Sequence, residues 1–490
     1  MLDADISAGS SVNNKLKKAF NICIYGAFSI ILLFYICSIF LYSWRNKVPY
    51  IAFFVPASVF MYYVSYKLIS VLYGYKNYLA TLFIFVLSII IYSLWNFYAK
   101  TQPMSDYRVL INGAKSVLNG TFADLSFDKE NYYYFYNFQT GFTLYLAFIM
   151  KIFGNSLFAL KFIEILVMSF TNILLFHIVK KIYSVKEAII STLIYITLTF
   201  NIAGSSIINN QHISMFLIVL MLYFITGKDS FIYTGIAGAV LAFAVIVRPN
   251  AQVVLLAYIA FMILLILSDG KKLLKKNITN LLLFVVVYFI VIYSFDITLK
   301  TINLIPISAI NANTTYFKIV LGISGKGLYG IPTLSTEKTQ IYFDLQRLNF
   351  DYELYNQECK KYVIDNITNN TKGVIKYIYN KMLIFCGAID NQIGFSGVNT
   401  PGLRLSHFMK YGGYQQYASL VFFGFIASVK KVTYVIKSKS CNNRIDKEAL
   451  ITIVFILYFV AHILIETQAR YRFEQYLCLC IMVAPIFKER

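Results

Sequence analysis

Long hydrophobic runs are the feature that most constrains the fold of this 490-residue chain. Residues 19–43, 50–73 and 77–99 are each long enough to cross a bilayer as a helix, which takes about 20 apolar residues. Only 14% of the residues are charged, against about 25% in an average soluble domain. The runs also lack the short alternating pattern of a membrane β-barrel. The sequence therefore predicts an all-α polytopic membrane protein.

The charge of the chain supports the same class. Lysine and arginine number 44 against 23 acidic residues, a formal net charge of +21. These basic residues concentrate in short loops between the apolar runs, so the positive-inside rule explains much of the excess without nucleic acid as a partner. Lys15, Lys17 and Lys18 precede the first run and predict a cytoplasmic N-terminus. Three crossings then place Lys100 on the extracytoplasmic side.

Residues 138–153 determine the number of spans. This apolar segment is short and could either span the membrane or lie at its interface. If it spanned, the basic clusters 180–186 and 271–276 would both face outward, whereas an interfacial helix places both inside. We therefore predict an interfacial or re-entrant helix there, about 12 spans (range 11–14) and cytoplasmic termini. The remaining spans are predicted at 157–179, 187–208, 211–227, 230–247, 250–268, 278–299, 414–436, 449–467 and 471–487.

The order of runs and loops divides the chain into four predicted parts. They are an N-terminal pair of spans (1–76), a membrane core (77–299) with an outer loop at 100–156, a large extracytoplasmic loop (300–413) and three last spans (414–490). The large loop is too long for a plain connector, which indicates a function. Within it, residues 374–389 have the pattern of an amphipathic helix on the membrane surface.

An acidic stretch follows the third run. After Asp106, apolar residues recur at helical spacing up to Leu118, which predicts a short amphipathic helix with Ser105 as its N-cap. Taken alone, this pattern favours a carboxylate that stabilises the helix start. Its position at a membrane exit instead favours a catalytic base that deprotonates an acceptor hydroxyl. Asp124, Asp128 and Glu130 lie in the same stretch.

Basic residues at two other membrane exits are candidates for phosphate binding. Arg248 precedes Pro249 and either reaches lipid headgroups or binds a phosphate. Glu466, Arg470 and Arg472 lie between two apolar runs, where charges are costly. Arg470, and with it Arg472, is predicted to bind a lipid-linked phosphate through forked hydrogen bonds, the alternative being an interfacial ion pair or lipid anchor.

Other polar residues carry weaker signals. His212 lies at another outer turn, where a lone histidine is more often structural. Lys161 and Glu164 lie in one predicted span, as a potential ion pair without an assigned role. No His, Cys and Asp cluster has the spacing of a metal site, and no nucleotide-binding motif is present. The sequence assigns no cofactor and leaves a requirement for a divalent cation open.

Together these features resemble the GT-C superfamily of polyprenyl-phosphate-sugar-dependent glycosyltransferases, which includes protein O-mannosyltransferases and lipid A aminoarabinose transferases. The resemblance begins at about Asn77. It is carried by Asp106 at the start of its helix, the aromatic segment 132–136, the interfacial helix that ends at Gly154, the turn Arg248-Pro249-Asn250, and Glu466 followed by Arg470-Tyr471.

The chain departs from the family at two positions. Residues 136–141 lack a Pro-Pro pair, and residues 209–212 contain no acidic side chain. The second departure argues against a two-carboxylate metal site and keeps other acids open as candidates.

The resemblance implies an inverting glycosyltransferase at the extracytoplasmic face of a cell membrane. It would move a sugar from a polyprenyl phosphate to a lipid-linked glycan or another cell-envelope acceptor, among membrane lipids. Asp106 would be the base, and Arg470, Arg248 and Arg472 would bind the donor phosphate. Residues held open as a second acid or acceptor contact are Asp124, Asp128, Glu130, Glu466 and His212. The Lys, Asn, Ile and Tyr content suits a bacterium with a low-GC genome.

Two alternatives remain at this stage. A polysaccharide polymerase of the O-antigen type would depend mainly on the loop 300–413. A flippase or transporter of lipid-linked oligosaccharides would carry charged residues deep in several spans.

Overall fold

A computed structural model shows a helical protein. It describes residues 2–46, 48, 77–227, 230–269, 271–310, 315–323, 346–390, 392–396, 404–438 and 447–487. Within these ranges the secondary structure is helical and contains no strand, so the predicted all-α class is confirmed. The predicted second span, residues 50–73, lies outside the described residues.

The helices before residue 250 are α1 (Leu2–Arg45), α2 (Asn77–Ala99), α3 (Asp106–Leu118), α4 (Phe122–Phe127), α5 (Tyr132–Phe135), α6 (Thr140–Phe153), α7 (Leu157–Ile182), α8 (Val185–Thr197), α9 (Thr199–Gly204), α10 (Asn210–Thr226) and α11 (Phe231–Val247). Those that follow are α12 (Gln252–Ser268), α13 (Lys271–Thr301), α14 (Thr315–Ile323), α15 (Tyr352–Asn369), α16 (Thr371–Gly387), α17 (Gln392–Phe395), α18 (Arg404–Lys437), α19 (Lys447–Leu464) and α20 (Phe473–Val483). Short 3₁₀ segments occur at Asn137–Gln139, Pro249–Ala251, Ala469–Arg472 and Ala484–Phe487.

Seven helices in the described residues are long and apolar enough to cross a membrane. They are Asn13–Arg45, Tyr78–Ala99, Leu157–Ile182, Pro249–Ser268, Leu273–Thr301, His407–Lys437 and Lys447–Leu464. The apolar helices α10 and α11 are shorter, with 17 residues each. The protein is therefore a multi-pass helical membrane protein, and the predicted number of about 12 spans is not confirmed.

One predicted span is interrupted. The sequence suggested a continuous helix over 187–208, but α8 ends at Thr197 and the backbone leaves the helical region at Leu198. The buried Asn201 side chain donates a 2.7 Å hydrogen bond to the Tyr195 carbonyl oxygen, one of the terminal carbonyls that α8 cannot pair internally. The prediction of a single span was wrong here because a polar residue inside the run terminates the helix. The run 471–487 is likewise only partly α-helical, as α20 covers Phe473–Val483.

The length of α6 favours an interfacial position. Its 14 residues give a helix of about 21 Å, which is shorter than the hydrocarbon core of roughly 30 Å. It packs against α3 and α11, and Gly141 allows close approach, because a Cβ atom there would lie 1.9 Å from the Ile246 carbonyl oxygen. The pair of α3 and α6 thus forms a small layer beside the bundle.

The helix predicted at 374–389 is present as α16, but it is docked on the bundle. Gly387 approaches α1 so closely that a Cβ atom would lie 2.3 Å from the Ser38 carbonyl oxygen. Lys381 Nζ donates hydrogen bonds to the carbonyl oxygens of Gly322 (2.7 Å), Ile463 (2.8 Å) and Ile465 (3.0 Å). Burial lowers the pKa of Lys381 to about 7, while the three acceptors favour the ammonium form, the only form with three N–H donors. Lys381 therefore joins α14, α16 and the end of α19.

Close packing between α11 and α13 gives a direct test of this fold. A Cβ atom at Gly238 would lie 2.6 Å from the Phe284 carbonyl oxygen, whereas one at Gly235 would meet nothing nearer than a Leu283 methyl group at 3.9 Å. Gly238→Ala should reduce the free energy of unfolding by about 1–3 kcal/mol, because the backbones of α11 and α13 must move apart to admit the methyl group. Gly235→Ala should be neutral or slightly stabilising. Thermal unfolding of the two purified variants in detergent measures the difference, and equal midpoints would contradict the packing of α11 on α13.

Candidate functional site

Asp106 lies where the sequence predicted, in the first turn of an amphipathic helix. The helix α3 begins at Asp106, which is exposed, and its buried side chains include Leu110 and Ile111. Ser105, however, does not cap the helix through its side chain, and its φ of 50° is unusual for a residue with a Cβ atom. Ser105 thus occupies the predicted N-cap position, but it makes the sharp turn into α3 without a capping hydrogen bond from its side chain. Such turns cluster at functional sites.

Tyr107 and Arg470 connect this turn to the C-terminal helices. Arg470 Nη1 donates a 2.9 Å hydrogen bond to the Tyr107 hydroxyl. The Arg470 guanidinium also lies over the Phe395 ring, 4.3 Å from its centre, and the Phe395 and Tyr107 rings meet edge to face. Burial raises the pKa of Tyr107, although Arg470 lowers it. The phenol therefore stays protonated, and its oxygen accepts from Arg470.

The negative charge of Asp106 affects the pKa values of the side chains in this region. After burial, which is the largest cause, Asp106 contributes to the raised pKa values of Tyr107, Tyr132 and Tyr136, the last of about 12. Asp106 also favours the charged form of Arg470, opposing the effect of burial. The exposed carboxylate and the predicted phosphate-binding arginine therefore belong to one electrostatic environment.

Arg248 belongs to this environment too. It is 8% exposed at the C-terminal end of α11, where Nη1 donates a 3.1 Å hydrogen bond to Asn210 Oδ1 and Nε lies 3.6 Å from Glu474 Oε1. Arg248 also lowers the pKa of Tyr107. Three residues that the sequence analysis selected from distant segments thus act on Tyr107. Arg470 does so through a hydrogen bond, and Arg248 and Asp106 through the effect of their charges on the pKa of the phenol.

The polar turn before α10 holds the two arginines in place. Asn209 caps α10 by accepting from the Gln211 backbone N–H at 3.1 Å, and the Gln211 side chain donates to the Arg470 carbonyl oxygen at 3.4 Å. The Asn210 side chain donates to Gln139 Oε1 at 3.3 Å and so joins the segment before α6.

His212 and Glu164 form a buried pair instead of an outer contact. His212 Nδ1 lies 2.8 Å from Glu164 Oε2, and both side chains are almost fully buried. The suggested pairing of Lys161 with Glu164 was therefore wrong, because the histidine of α10 takes the carboxylate. An acceptor that reached Asp106 would not meet His212 in this arrangement.

Glu466 also has a structural partner. Its carboxylate lies 2.9 Å from Lys318 Nζ, and its backbone N–H donates to the Lys318 carbonyl oxygen at 3.2 Å. Burial opposes the charge of Lys318, but Glu466 outweighs it and raises the lysine pKa. The pair holds the segment before Arg470 against α14.

Arg472 points away from Arg470. It is fully buried, and its guanidinium donates to the carbonyl oxygens of Ala388 (2.7 Å), Ala469 (2.9 Å) and Cys386 (3.4 Å). It also lies 4.1 Å from the centre of the Tyr417 ring. The expectation that Arg472 binds phosphate beside Arg470 disagrees with this geometry. In a 3₁₀ segment with about three residues per turn, side chains two positions apart point in different directions. Arg472 anchors the end of α16.

The other acids of the first outer stretch are exposed and locally bonded. Asp124 begins α4, and Asp128 Oδ1 accepts from the Glu130 backbone N–H at 3.0 Å. The structure records no contact between these acids and Asp106 among the described residues.

A small depression, with room for about one water molecule, lies beside the Tyr107–Phe395 contact. Its lining includes Thr101, Pro103, Tyr107, Lys161, Ser206 and Phe395. It is therefore bordered by the segment that leads to Asp106 and by the rings that contact Arg470.

Several residues of the site were not selected from the sequence. Tyr107 could have been found from its position beside Asp106, and Asn210 from its place in a polar turn between two apolar runs. No sequence pattern pointed to Glu474 or Lys318, because their roles depend on tertiary contacts with Arg248 and Glu466.

Comparison with known families gives a match over part of the chain. Residues 141–294, from α6 to most of α13, match the family model described as dolichyl-phosphate-mannose-protein mannosyltransferase. The resemblance to GT-C glycosyltransferases is confirmed over this region, which includes Arg248. No curated protein matches the chain. The match suggests a membrane glycosyltransferase of the GT-C type.

The two neighbouring arginines should respond differently to substitution. Arg472→Met should lower the free energy of unfolding by about 3 kcal/mol or more, because three buried carbonyl oxygens lose their donor. Arg470→Met should unfold at a temperature close to that of the wild type, since a methionine can still cover Phe395. Thermal unfolding in detergent tests both, and a stable Arg472→Met variant would contradict the anchoring role.

Proposed function

We propose that the protein transfers a sugar from a polyprenyl-phosphate donor to a lipid-linked or other cell-envelope acceptor. The observation that carries this proposal is the grouping of one exposed acid, Asp106, with Arg470 and Arg248 around Tyr107. The family match over 141–294 supports the class of reaction.

In the proposed reaction Asp106 takes the proton of the acceptor hydroxyl. The resulting oxygen nucleophile attacks C1 of the donor sugar, and the bond between C1 and the phosphate oxygen breaks. The electron pair of that bond leaves with the polyprenyl phosphate, and the configuration at C1 is inverted. Asp106 suits the role of base because it is exposed, while the tyrosines around it remain neutral.

The arginines would stabilise the leaving phosphate. Arg470 is held from two sides, by the Tyr107 hydroxyl and the Phe395 ring, and its Nε atom has no hydrogen-bond partner. Arg248 is held by Asn210 and Glu474, and its Nε is also free of a hydrogen bond. Guanidinium groups fixed before the substrate arrives can stabilise developing negative charge without reorganisation.

We further propose that the acceptor approaches along Tyr132 and Tyr136. Both rings are partly buried, and their centroids lie 4.9 Å apart. The charge of Asp106 contributes to the raised pKa of both phenols. Aromatic faces of this kind bind sugar rings through their C–H groups.

Substitution of the proposed base is the central test. Asp106→Asn keeps the size of the side chain and removes the proton acceptor, so transfer should fall by about 10²–10⁴-fold with normal expression. The assay follows release of polyprenyl phosphate and formation of glycosylated product by purified protein in proteoliposomes with synthetic polyprenyl-phosphate hexoses.

The matched control is Asp124→Asn, because Asp124 is also an exposed aspartate in the first turn of a short helix. It should retain wild-type transfer. Full activity of Asp106→Asn would overturn the assignment. Loss of activity only on substitutions within 346–390 would instead favour a polymerase that depends on the large loop.

The proposed orientation has its own test. With cytoplasmic termini and an extracytoplasmic site, as in a bacterial cell membrane, Asn119 at the end of α3 should face outward and Lys275 at the start of α13 inward. In a cysteine-free background, a membrane-impermeant maleimide should label Asn119→Cys in intact cells, and Lys275→Cys only after permeabilisation. The reverse pattern would place Asp106 in the cytoplasm.

A further inference from the structure

Glu164 and His212 form a buried acid–base pair that the proposed reaction does not use. Their side chains are 2% and 0% exposed, and His212 Nδ1 lies 2.8 Å from Glu164 Oε2. Glu164 belongs to the membrane-spanning helix α7, where an acidic side chain is costly. A buried pair of this kind adds little stability compared with apolar side chains of similar volume. Its presence is explained if the pair fixes the position of neighbouring groups.

His212 continues the polar turn that contacts both arginines of the site. Two positions before it, the Asn210 side chain accepts a 3.1 Å hydrogen bond from Arg248 Nη1. Directly before it, the Gln211 side chain donates to the Arg470 carbonyl oxygen at 3.4 Å. These consecutive residues share the first turn of α10, so their backbone atoms move together. The bond from His212 to α7 thus fixes the turn that holds the arginines.

The His212 ring also lies beside two elements next to Arg470. Its centre is 5.7 Å from that of the Phe473 ring, and Phe473 begins α20 directly after the 3₁₀ segment that contains Arg470. His212 Nε2 has no hydrogen-bond partner in the described part of the chain, and a Cβ atom at Gly204 would lie 3.3 Å from it. The same Cβ atom would lie 3.2 Å from Gln392 Nε2, which is also buried and unpaired there. His212 and the start of α17 therefore face the same glycine.

The helix α17 supports Arg470 from another direction. It ends at Phe395, whose ring centre lies 4.3 Å from the Arg470 guanidinium. The same ring meets Tyr107 edge to face. The buried pair thus adjoins three elements that hold Arg470, namely the turn before α10, the start of α20 and the helix α17.

We propose that Glu164 and His212 are positioning residues. They hold Arg470 and Arg248 in the arrangement that binds the donor phosphate, but they touch neither the sugar nor the phosphate and transfer no proton. The binding of a donor phosphate by these arginines rests on the proposed function. Side chains that bind a ligand keep their geometry only when further contacts fix them. The pair supplies this support through the turn 209–212.

Replacement of the whole pair separates positioning from stability. The double variant Glu164→Met/His212→Phe removes both polar groups and keeps their volume, so it should unfold at a temperature close to that of the wild type. It should nevertheless bind a fluorescent polyprenyl phosphate about 2- to 30-fold more weakly in phosphatidylcholine nanodiscs. Glu164→Gln should retain most of the affinity, because its amide oxygen can still accept from the His212 N–H.

The matched control is Asn172→Leu. Asn172 is another buried polar residue of α7, but it donates to Ser88 and Tyr92 of α2, away from the turn 209–212. This variant should leave the affinity unchanged even if it lowers the unfolding temperature. Hydrogen exchange measured by mass spectrometry gives a readout that needs no ligand. Residues 466–473 should exchange faster in the double variant than in the wild type or the control.

A second substitution tests the route through the turn. Gln211→Met leaves the pair intact and removes the hydrogen bond to the Arg470 carbonyl oxygen, so it should also weaken binding of the probe. Adding the pair replacement to Gln211→Met should weaken binding little further, because both act through the same turn. Wild-type affinity of Gln211→Met, or fully additive losses, would overturn this route. Failure of the double variant to fold would overturn the proposal too, because the pair would then hold the fold itself.

The outcomes separate this proposal from the proposed function. Wild-type affinity and exchange in the double variant would overturn the positioning role, whatever the activity of Asp106→Asn. If the wild type does not bind the probe, but residues 466–473 exchange faster in the double variant, the pair does position Arg470 and the proposed donor is wrong. Weaker binding by the double variant with full transfer by Asp106→Asn would sustain the positioning role and overturn the proposed base.

Discussion

The hydrogen bond between Arg470 and the Tyr107 hydroxyl is the contact on which the arrangement of this region depends. It joins the turn before α3 to the 3₁₀ segment before α20, two parts of the chain separated by 363 positions. Around it, Gln211 of α10 donates to the Arg470 carbonyl oxygen, and Asn210 beside it accepts from Arg248 at the end of α11. The Lys318–Glu466 pair connects the residues before Arg470 to α14. Together with the Phe395 ring, which touches both residues, this contact helps to fix the position of Asp106 relative to Arg470.

The surrounding charges divide into those that hold the fold and those that remain accessible. Arg472, Glu164 and Glu466 are buried and bonded to protein groups, which offsets the cost of placing charge in an apolar bundle. Asp106 is exposed, and Lys161 has only a backbone carbonyl as its described partner. A site for an uncharged hydroxyl and an anionic leaving group requires an acid and a cation that the protein holds in place but does not neutralise.

The sequence predicted the parts of this arrangement that depend on local pattern. The apolar period after Asp106 was sufficient to place α3. The basic clusters of the later loops were needed to predict that the short run 138–153 does not span. Tertiary contacts could not be predicted from the sequence. The direction of Arg472, the partner of Glu164 and the docking of α16 all depend on packing between segments far apart in sequence. The end of α8 at Thr197 was missed because hydropathy averaged over the run hides the effect of Asn201.

The separation between Tyr107 and Arg470 has a consequence for biosynthesis. A ribosome adds about 5–20 residues per second, so the 363 positions between them correspond to roughly 20–70 s of synthesis. During that interval the nascent chain would already hold Asp106 and Arg248 but not Arg470. The arrangement around Tyr107 would thus be completed only near the end of synthesis.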